Sequence, residues 1–285
     1  MTLVGFGLVL TAALCHAIWN FCVKRINGGP ELVWLFSLVS VALYSPIAVF
    51  IISTQKSSFG PREIAFVAAS AFLHLGYFLL LQRGYRRGDL SFVYPTARAT
   101  GPLLSTAVAI GFLNEKLTYQ IAAGGLTIVV GVIFLTGGFK RSRENMTASI
   151  AFGLGAGSLI SSYTVWDAYT VSTVLVPPLL LDYASSIGRA LILAPIAAER
   201  KNLVRAYWRA HRLGVITIAI FNPLAYILVL YALTFTPIVY VAPTREASVL
   251  ITVLMGSILL KEGDLRRRMF WAALILAGVG LIVTA

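Results

Sequence analysis

Charge is scarce in this chain. Only 12% of its 285 residues are Asp, Glu, Lys or Arg, about half the share of an ordinary soluble domain. Apolar residues make up 58%, and the mean hydropathy is +0.85. Such a composition leaves too few polar groups to cover a surface, which excludes a soluble globular protein. Disorder is excluded as well, because disordered chains are poor in large apolar residues. Cysteine is nearly absent. Cys15 and Cys22 lie seven apart in one apolar run, about 10 Å along a helix, too far for a disulfide. Two thiols do not make a metal site. The sequence contains no P-loop, no dinucleotide glycine fingerprint and no paired-His metal spacing. No cofactor or metal is therefore expected, nor enzymatic activity, nor transport driven by the chain's own ATP hydrolysis. Alternating segments of ~10 residues, the mark of a membrane β-barrel, are also missing. No Lys or Arg precedes the first apolar run. That run is long enough to span, so it does not read as a cleavable signal peptide.

What is present is a series of ten apolar segments, bounded by charge, Pro or Gly. They cover Leu3–Val23, Leu32–Ser53, Ile64–Gln82, Leu90–Leu113, Tyr119–Gly138, Thr147–Thr170, Leu179–Ala198, Leu213–Leu233, Val239–Leu260 and Met269–Thr284. A spanning helix takes ~20 residues, and lipid leaves open backbone groups without partners, so segments of this length read as helices. The loops after spans 1, 3, 5, 7 and 9 hold 17 of the 23 Lys and Arg residues. Three lie in the other loops and termini, and three within spans. That bias puts the odd loops in the cytoplasm and both termini outside, periplasmic in a bacterial inner membrane. The net charge of +12 then reads as topology, not as a nucleic-acid surface. The basic loop Glu199–Arg212 reads as a cytoplasmic anchor.

A shift of the chain by 147 residues, without gaps, superposes Trp19 on Trp166, Pro30 on Pro177, Arg98 on Arg245, Glu115 on Glu262 and Gly131 on Gly278. Asn20 falls on Asp167. Residues 1–138 and 147–285 thus read as two five-helix repeats, joined by a basic cytoplasmic linker at 139–146. An odd number of spans turns the second copy upside down. The expected fold is an all-α integral membrane protein of ten transmembrane helices in two inverted repeats. Inverted repeats around a midplane site are the architecture of secondary transporters.

Ionisable groups inside spans cost at least ~2.5–3.5 kcal/mol on insertion scales and mark candidate sites. His16 and Asn20 share one face of span 1, beside Trp19. Their counterparts on span 6 are Tyr163, Trp166 and Asp167. Both sets read as cavity walls, although the two Trp residues equally suit an interfacial aromatic belt. On span 4, Tyr94-Pro95-Thr96-Ala97-Arg98 has its counterpart on span 9 in Ala242-Pro243-Thr244-Arg245-Glu246. Pro in a helix removes a backbone hydrogen bond and bends it. An Arg beside each kink suits an anion or carboxylate, or a structural pair of Arg245 with Glu246 or Asp167. Depth along the helices suggests gates, with Asp167–Arg245 at the outer mouth and Asn20–Arg98 at the inner. Between these layers lie His74, Tyr77, Asn222, Tyr226 and Arg189, with Asp182 near the outer end of span 7. The intramembrane charges of Arg98, Arg189 and Arg245 balance those of Asp167, Asp182 and Glu246. That balance suits an amphoteric or anionic solute, or internal ion pairs. His16 and His74 could carry coupling protons. Glu115 and Glu262 read as helix-end anchors. Gly124, Gly125 and Gly131 on span 5, Gly278 and Gly280 on span 10, and Gly153 and Gly157 on span 6 read as packing faces.

Two five-helix repeats, each with Pro in its fourth helix, a Glu at that helix's end and a Gly-rich fifth helix, resemble the EamA-type family of the drug/metabolite transporter superfamily. The strings His16-Ala-Ile-Trp19-Asn20, Gly88-Asp89-Leu90-Ser91-Phe92-Val93-Tyr94-Pro95 and Ala97-Arg98-Ala99-Thr100-Gly101-Pro102 resemble a subgroup with members linked to phosphonate utilisation. Asn114 and Lys261 stand before the two Glu residues where the family often has Gly. The resemblance implies a central cavity lined by helices 1, 3, 4, 6, 8 and 9. Near it would lie His16, His74, Tyr94, Arg98, Tyr163, Trp166, Asn222, Tyr226 and Arg245. It also implies transport of a small polar metabolite by alternating access. The expected partners are the lipid bilayer, that solute, the proton as candidate coupling ion, and a second copy as a candidate homodimer. A non-transporting membrane protein, whether enzyme or assembly partner, and a channel are the competing readings.

Overall fold

The computed structural model describes residues 1–54, 60–87, 90–135, 146–251, 255 and 265–285. Among them ten helices follow in order: α1 Leu3–Ile26, α2 Pro30–Thr54, α3 Pro61–Arg87, α4 Leu90–Phe112, α5 Tyr119–Leu135, α6 Met146–Ser172, α7 Pro178–Glu199, α8 Lys201–Leu233, α9 Ile238–Thr244 and α10 Leu265–Val283. Six of these, α1, α2, α3, α6, α7 and α8, contain stretches long and apolar enough to cross a membrane. The chain is a multi-pass membrane protein whose polarity is turned outside in. Leu3, Val49, Phe50, Phe72, Phe112, Leu191 and Phe270 project outward with most of their surface uncovered. Asp167, Glu246, Asp182 and Glu31 are buried. Lipid tails solvate the first set and cannot solvate the second.

Named contacts fix the relative directions of the helices. Gly84 of α3 approaches Phe152 of α6, and Gly76 approaches Leu159, so this pair is antiparallel. Gly153, Gly157 and Gly101 bring α4 and α6 together in parallel, against Thr96, Thr100 and Ile160 respectively. Gly5 lies against Thr236 and Ile26 against Gly214, which makes α1 and α8 antiparallel. The contact of α5 with α10 repeats itself across the 147-residue shift. A Cβ on Gly131 would meet Ile275 Cγ1 at 2.5 Å, and one on Gly278 would meet Ile128 Cγ1 at 2.8 Å. Ile128 and Ile275 are themselves 147 apart. Of the expected packing glycines, Gly125 and Gly280 face open space. Gly278→Val should therefore lower the melting temperature, because the new Cβ would stand 2.8 Å from the backbone oxygen of Gly124. Overpacking of this kind costs about 1–3 kcal/mol. Gly280→Ala should leave it unchanged or slightly raised.

Two helices depart from the expected spans. The segment expected as a loop at 199–212 is helical. α8 begins at Lys201 and is interrupted only at His211 (φ −133°, ψ 29°). Val204 and Tyr207 explain why, since both pack against a core cluster containing Leu32, Val215 and Ile218. The span expected at Val239–Leu260 is described as helix only to Thr244 and again from 247 to 251. Residues 252–254 and 256–264 lie outside the described residues, with Lys261 and Glu262 among them. Pro223, inside α8, has no N–H for the carbonyl of Ala219. Ser40 Oγ of α2 donates to that carbonyl at 2.9 Å, and Tyr44 Oη donates to Ile220 O at 2.8 Å. A neighbouring helix thus satisfies the backbone that proline frees. At the other end of α2, buried Glu31 pairs with Arg200 at the end of α7 (2.5 Å).

Candidate functional site

The site is built around an interruption in the fourth helix of the second half. Pro243 cannot donate to Val239 O, and its ring crowds that carbonyl. The backbone responds by tightening. Glu246 N bonds Pro243 O, Ser248 N bonds Arg245 O and Val249 N bonds Glu246 O, at 2.9, 3.1 and 2.9 Å. These bonds reach back three residues instead of four, a 3₁₀-like stretch of the kind that marks hinges. Arg245 and Glu246 sit in the turn itself. α4, by contrast, is helical from Leu90 to Phe112, through Pro95, with no turn like that at Arg245–Glu246.

Glu246, 1% exposed, receives Arg98 from α4, with Nε 3.0 Å from Oε2. Arg98 Nη2 also donates to Ser248 Oγ at 3.2 Å. Glu115, at the far end of α4, accepts the N–H groups of Ile238 and Val239 through its two oxygens, both at 2.9 Å. It thus anchors a helix end, that of α9, where the helix dipole favours a carboxylate. Asn114 before it adopts a left-handed φ of 55°. Asn tolerates that conformation and Gly adopts it freely, which accounts for Asn where the family often has Gly.

A second group lies where α3, α6 and α8 meet. Asp167 is fully buried. Its Oδ2 lies 2.9 Å from His74 Nε2 and accepts a 2.5 Å hydrogen bond from Tyr226 Oη. Oδ1 of the same carboxylate is buried without a hydrogen-bond partner. Tyr163, one helical turn before Asp167, stacks on His74 at 4.1 Å between ring centroids. Tyr77 and Tyr226 meet Tyr163 edge-on at 5.8 and 6.3 Å. Tyr163 also shares an apolar cluster with Ala97, the neighbour of Arg98 on α4, and with Tyr226 of α8. Packing thus places the aromatic group beside α4.

The expected gate pairs are not formed. Asp167 holds His74 and Tyr226. Asn20 Nδ2 bonds the carbonyl of His16 in its own helix at 2.9 Å, while Arg98 forms an ion pair with Glu246 and a hydrogen bond with Ser248. Trp19 Nε1 donates to His16 Nδ1 at 3.3 Å, which leaves the His16 proton on Nε2. Trp166 turns to α3, stacking on Phe66 at 4.6 Å and donating to its carbonyl at 2.9 Å. Arg189 Nη2 bonds Ser186 Oγ on its own helix at 2.9 Å. Asn222 is half-buried on α8, four residues before Tyr226. Tyr94 lies on α4, with its side chain outside the described residues. Ser248 went unpredicted, because nothing in an isolated buried Ser marks it as an Arg partner.

Arg245 is the exception to all this pairing. It is half-buried in the turn after α9, two residues past Pro243. It has no ion pair or hydrogen bond to any described side chain. The two halves explain this. Arg245 is followed by Glu246, whereas its counterpart Arg98 is followed by Ala99. Arg98 pairs with Glu246, and position 99 offers Arg245 no carboxylate in return.

Three comparisons bear on these features. The model of the EamA-like transporter family matches residues 3–137 and again residues 147–284. A crystal structure described only as "Crystal structure of protein" is similar over 98% of this chain and 96% of its own, with a TM-score of 0.72 and 14% sequence identity. That likeness concerns the fold. No curated protein is significantly similar in sequence. The family match is to the family at large and does not reach the phosphonate-linked subgroup. With its two matches spanning nearly the whole length, the chain belongs to the EamA-like transporter family, membrane transporters of the drug/metabolite type.

Proposed function

We propose that this protein is a secondary carrier working by alternating access, and that its solute is a small zwitterion or organic anion. The observation that carries the substrate class is a pair of open handles, Arg245 in the turn after α9 and Asp167 on α6. Among the described residues Arg245 has no ion-pair or hydrogen-bond partner for its side chain. Asp167 Oδ1 is a buried acceptor without a partner. A carboxylate-like group on the first and an ammonium on the second would complete both, with the tyrosine rings as walls. Ionised hydrogen-bond partners are the stronger kind, and the guanidinium fork suits a carboxylate or phosphonate.

Two inverted repeats would supply the alternation. The self-repeating contact of α5 with α10 and the antiparallel run of α4 against α9 favour that arrangement. So do the two matches of the family model. The break at Arg245–Glu246 would be the hinge. In the conformation described, the Arg98–Glu246 pair ties the two halves. Its rupture would accompany the switch, so it takes the gating role first expected of Asn20–Arg98 and Asp167–Arg245. The membrane is proposed to be a bacterial inner membrane, with both termini on the periplasmic side, as the distribution of Lys and Arg suggests.

The test is counterflow in proteoliposomes, preceded by a thermal-shift screen against amino acids, aminophosphonates, sugar phosphates and amines. Ligands of the folded state raise its apparent stability. The expected result is protection by zwitterions, followed by exchange of the labelled solute against itself. A membrane enzyme or assembly partner would give no exchange, and protection by amines alone would remove Arg245 from the site.

The proton is the proposed coupling ion, carried by His74 with Asp167. The titratable groups around His74 are Tyr77 on its own helix, Tyr163 and Asp167 on α6, Tyr226 on α8, and Asp182 on α7. His74→Gln keeps a donor toward Asp167 and removes the titrating ring. Counterflow without a gradient should persist in this variant, while acceleration by an imposed pH gradient disappears. An unchanged gradient effect would place the coupling elsewhere.

A further inference from the structure

A groove at one end of the molecule lies outside the candidate site and plays no part in the transport reading. It opens where the C-terminal end of α1 meets the interruption of α8 at His211, with a volume of about 990 Å³. Arg25 lines it from α1, and Trp208, Arg209, His211, Arg212 and Leu213 from α8. Gly214 fixes the approach of the two helices, for a Cβ there would stand 2.9 Å from Ile26 Cδ1. Arg25, Arg209 and Arg212 are exposed and make no ion pair with any described residue. The dipole at the C-terminal end of α1 favours one cation, not three. The wall also changes character along its length. Beyond the arginines come Trp208, 38% exposed, and Leu213, 77% exposed, next to the apolar spanning part of α8. A free anion would use only the first part of this surface. An amphiphile with an anionic head would use all of it.

We propose that the groove binds the phosphate headgroup of an anionic phospholipid. Arg25, Arg209 and Arg212 would hold the phosphate, and an acyl chain would lie along Trp208 and Leu213. Basic recesses between spanning helices on the positively charged side of a membrane suit such lipids. The helix Lys201–Ala210, held in place by Val204 and Tyr207, gives the recess a fixed wall. The proposal requires that the chain span a membrane and is independent of what it carries.

The test uses the purified full chain in detergent, with lipid binding read by native mass spectrometry and by melting temperature. Phosphatidylglycerol is expected to stay bound and to stabilise, and phosphatidylcholine is not. Arg209→Gln/Arg212→Gln should weaken phosphatidylglycerol binding about thirtyfold, from ~1 kcal/mol per basic residue near an anionic surface. Lys201→Gln/Arg205→Gln removes the same charge from the same helix outside the groove and should leave binding near wild type. Equal loss in both variants would reduce the effect to general surface charge. Full protection by inorganic phosphate or glycerol phosphate alone would make the site one for free anions. No preference for phosphatidylglycerol over phosphatidylcholine in the wild-type chain would overturn the proposal whatever the variants do.

Discussion

Arg245→Gln should lower the affinity for the transported solute by about 10- to 100-fold, the worth of one hydrogen bond to a charged group. The loss is expected in the KM of counterflow and in the ligand-induced thermal shift. The melting temperature without ligand should hardly change. That combination follows from geometry: among the described residues Arg245 has no partner to strand, so removing its charge leaves none of them uncompensated. Arg245→Lys keeps the charge and loses the planar fork, and should fall between the two. Unaltered KM in Arg245→Gln would detach this residue from the substrate. A large fall in stability without ligand would make it a structural cation.

Glu246→Ala should do the opposite. It leaves Arg98, whose side chain is 11% exposed, without its carboxylate. Breaking a buried ion pair from one side costs about 3–5 kcal/mol, a large part of what holds a domain of any kind together. The melting temperature should drop sharply. Removing both partners in Arg98→Leu/Glu246→Leu should recover much of the loss, because no lone charge remains. The double variant should still fail to transport, since the pair is proposed to make and break during the cycle. Additive losses in the double variant would show that the two side chains do not depend on each other.

The chemistry of the candidate site was legible in the sequence: His74, Tyr163, Asp167, Tyr226, Arg98, Arg245 and Glu246 stood out because each is an expensive residue in an apolar span. The structure brings His74, Tyr163, Asp167 and Tyr226 together, and joins Arg98 to Glu246. Their partners were not legible. Asn20 and Arg98 lie at similar depths on neighbouring spans, which suggested a pair. Side-chain direction decided otherwise: Asn20 folds back on the carbonyl of His16, and Arg98 reaches across to α9. Glu115 was recognisable as an anchor, but only the packing of α4 on α9 reveals that the end it caps belongs to the other half. The helix in 201–210 was missed for a different reason. Its charge pattern reads as a loop, and what makes it a helix is the burial of Val204 and Tyr207 against α1, α2 and α8. Periodicity in so short and basic a stretch does not carry that information.

Composition, the 147-residue shift and the rare residues that match across it determined the class of molecule. An apolar chain with few charges and no alternating pattern satisfies its backbone in lipid as helices, and each expensive residue that survives there has a physical reason. The tertiary structure decided which of those residues are already compensated. Burial charges a full desolvation cost to any group left alone, and partners lie a hundred or more residues apart in the chain. Only the packing of α4 on α9, and of α6 on α3 and α8, could reveal that Arg98 is paired while Arg245 meets no partner among the described residues.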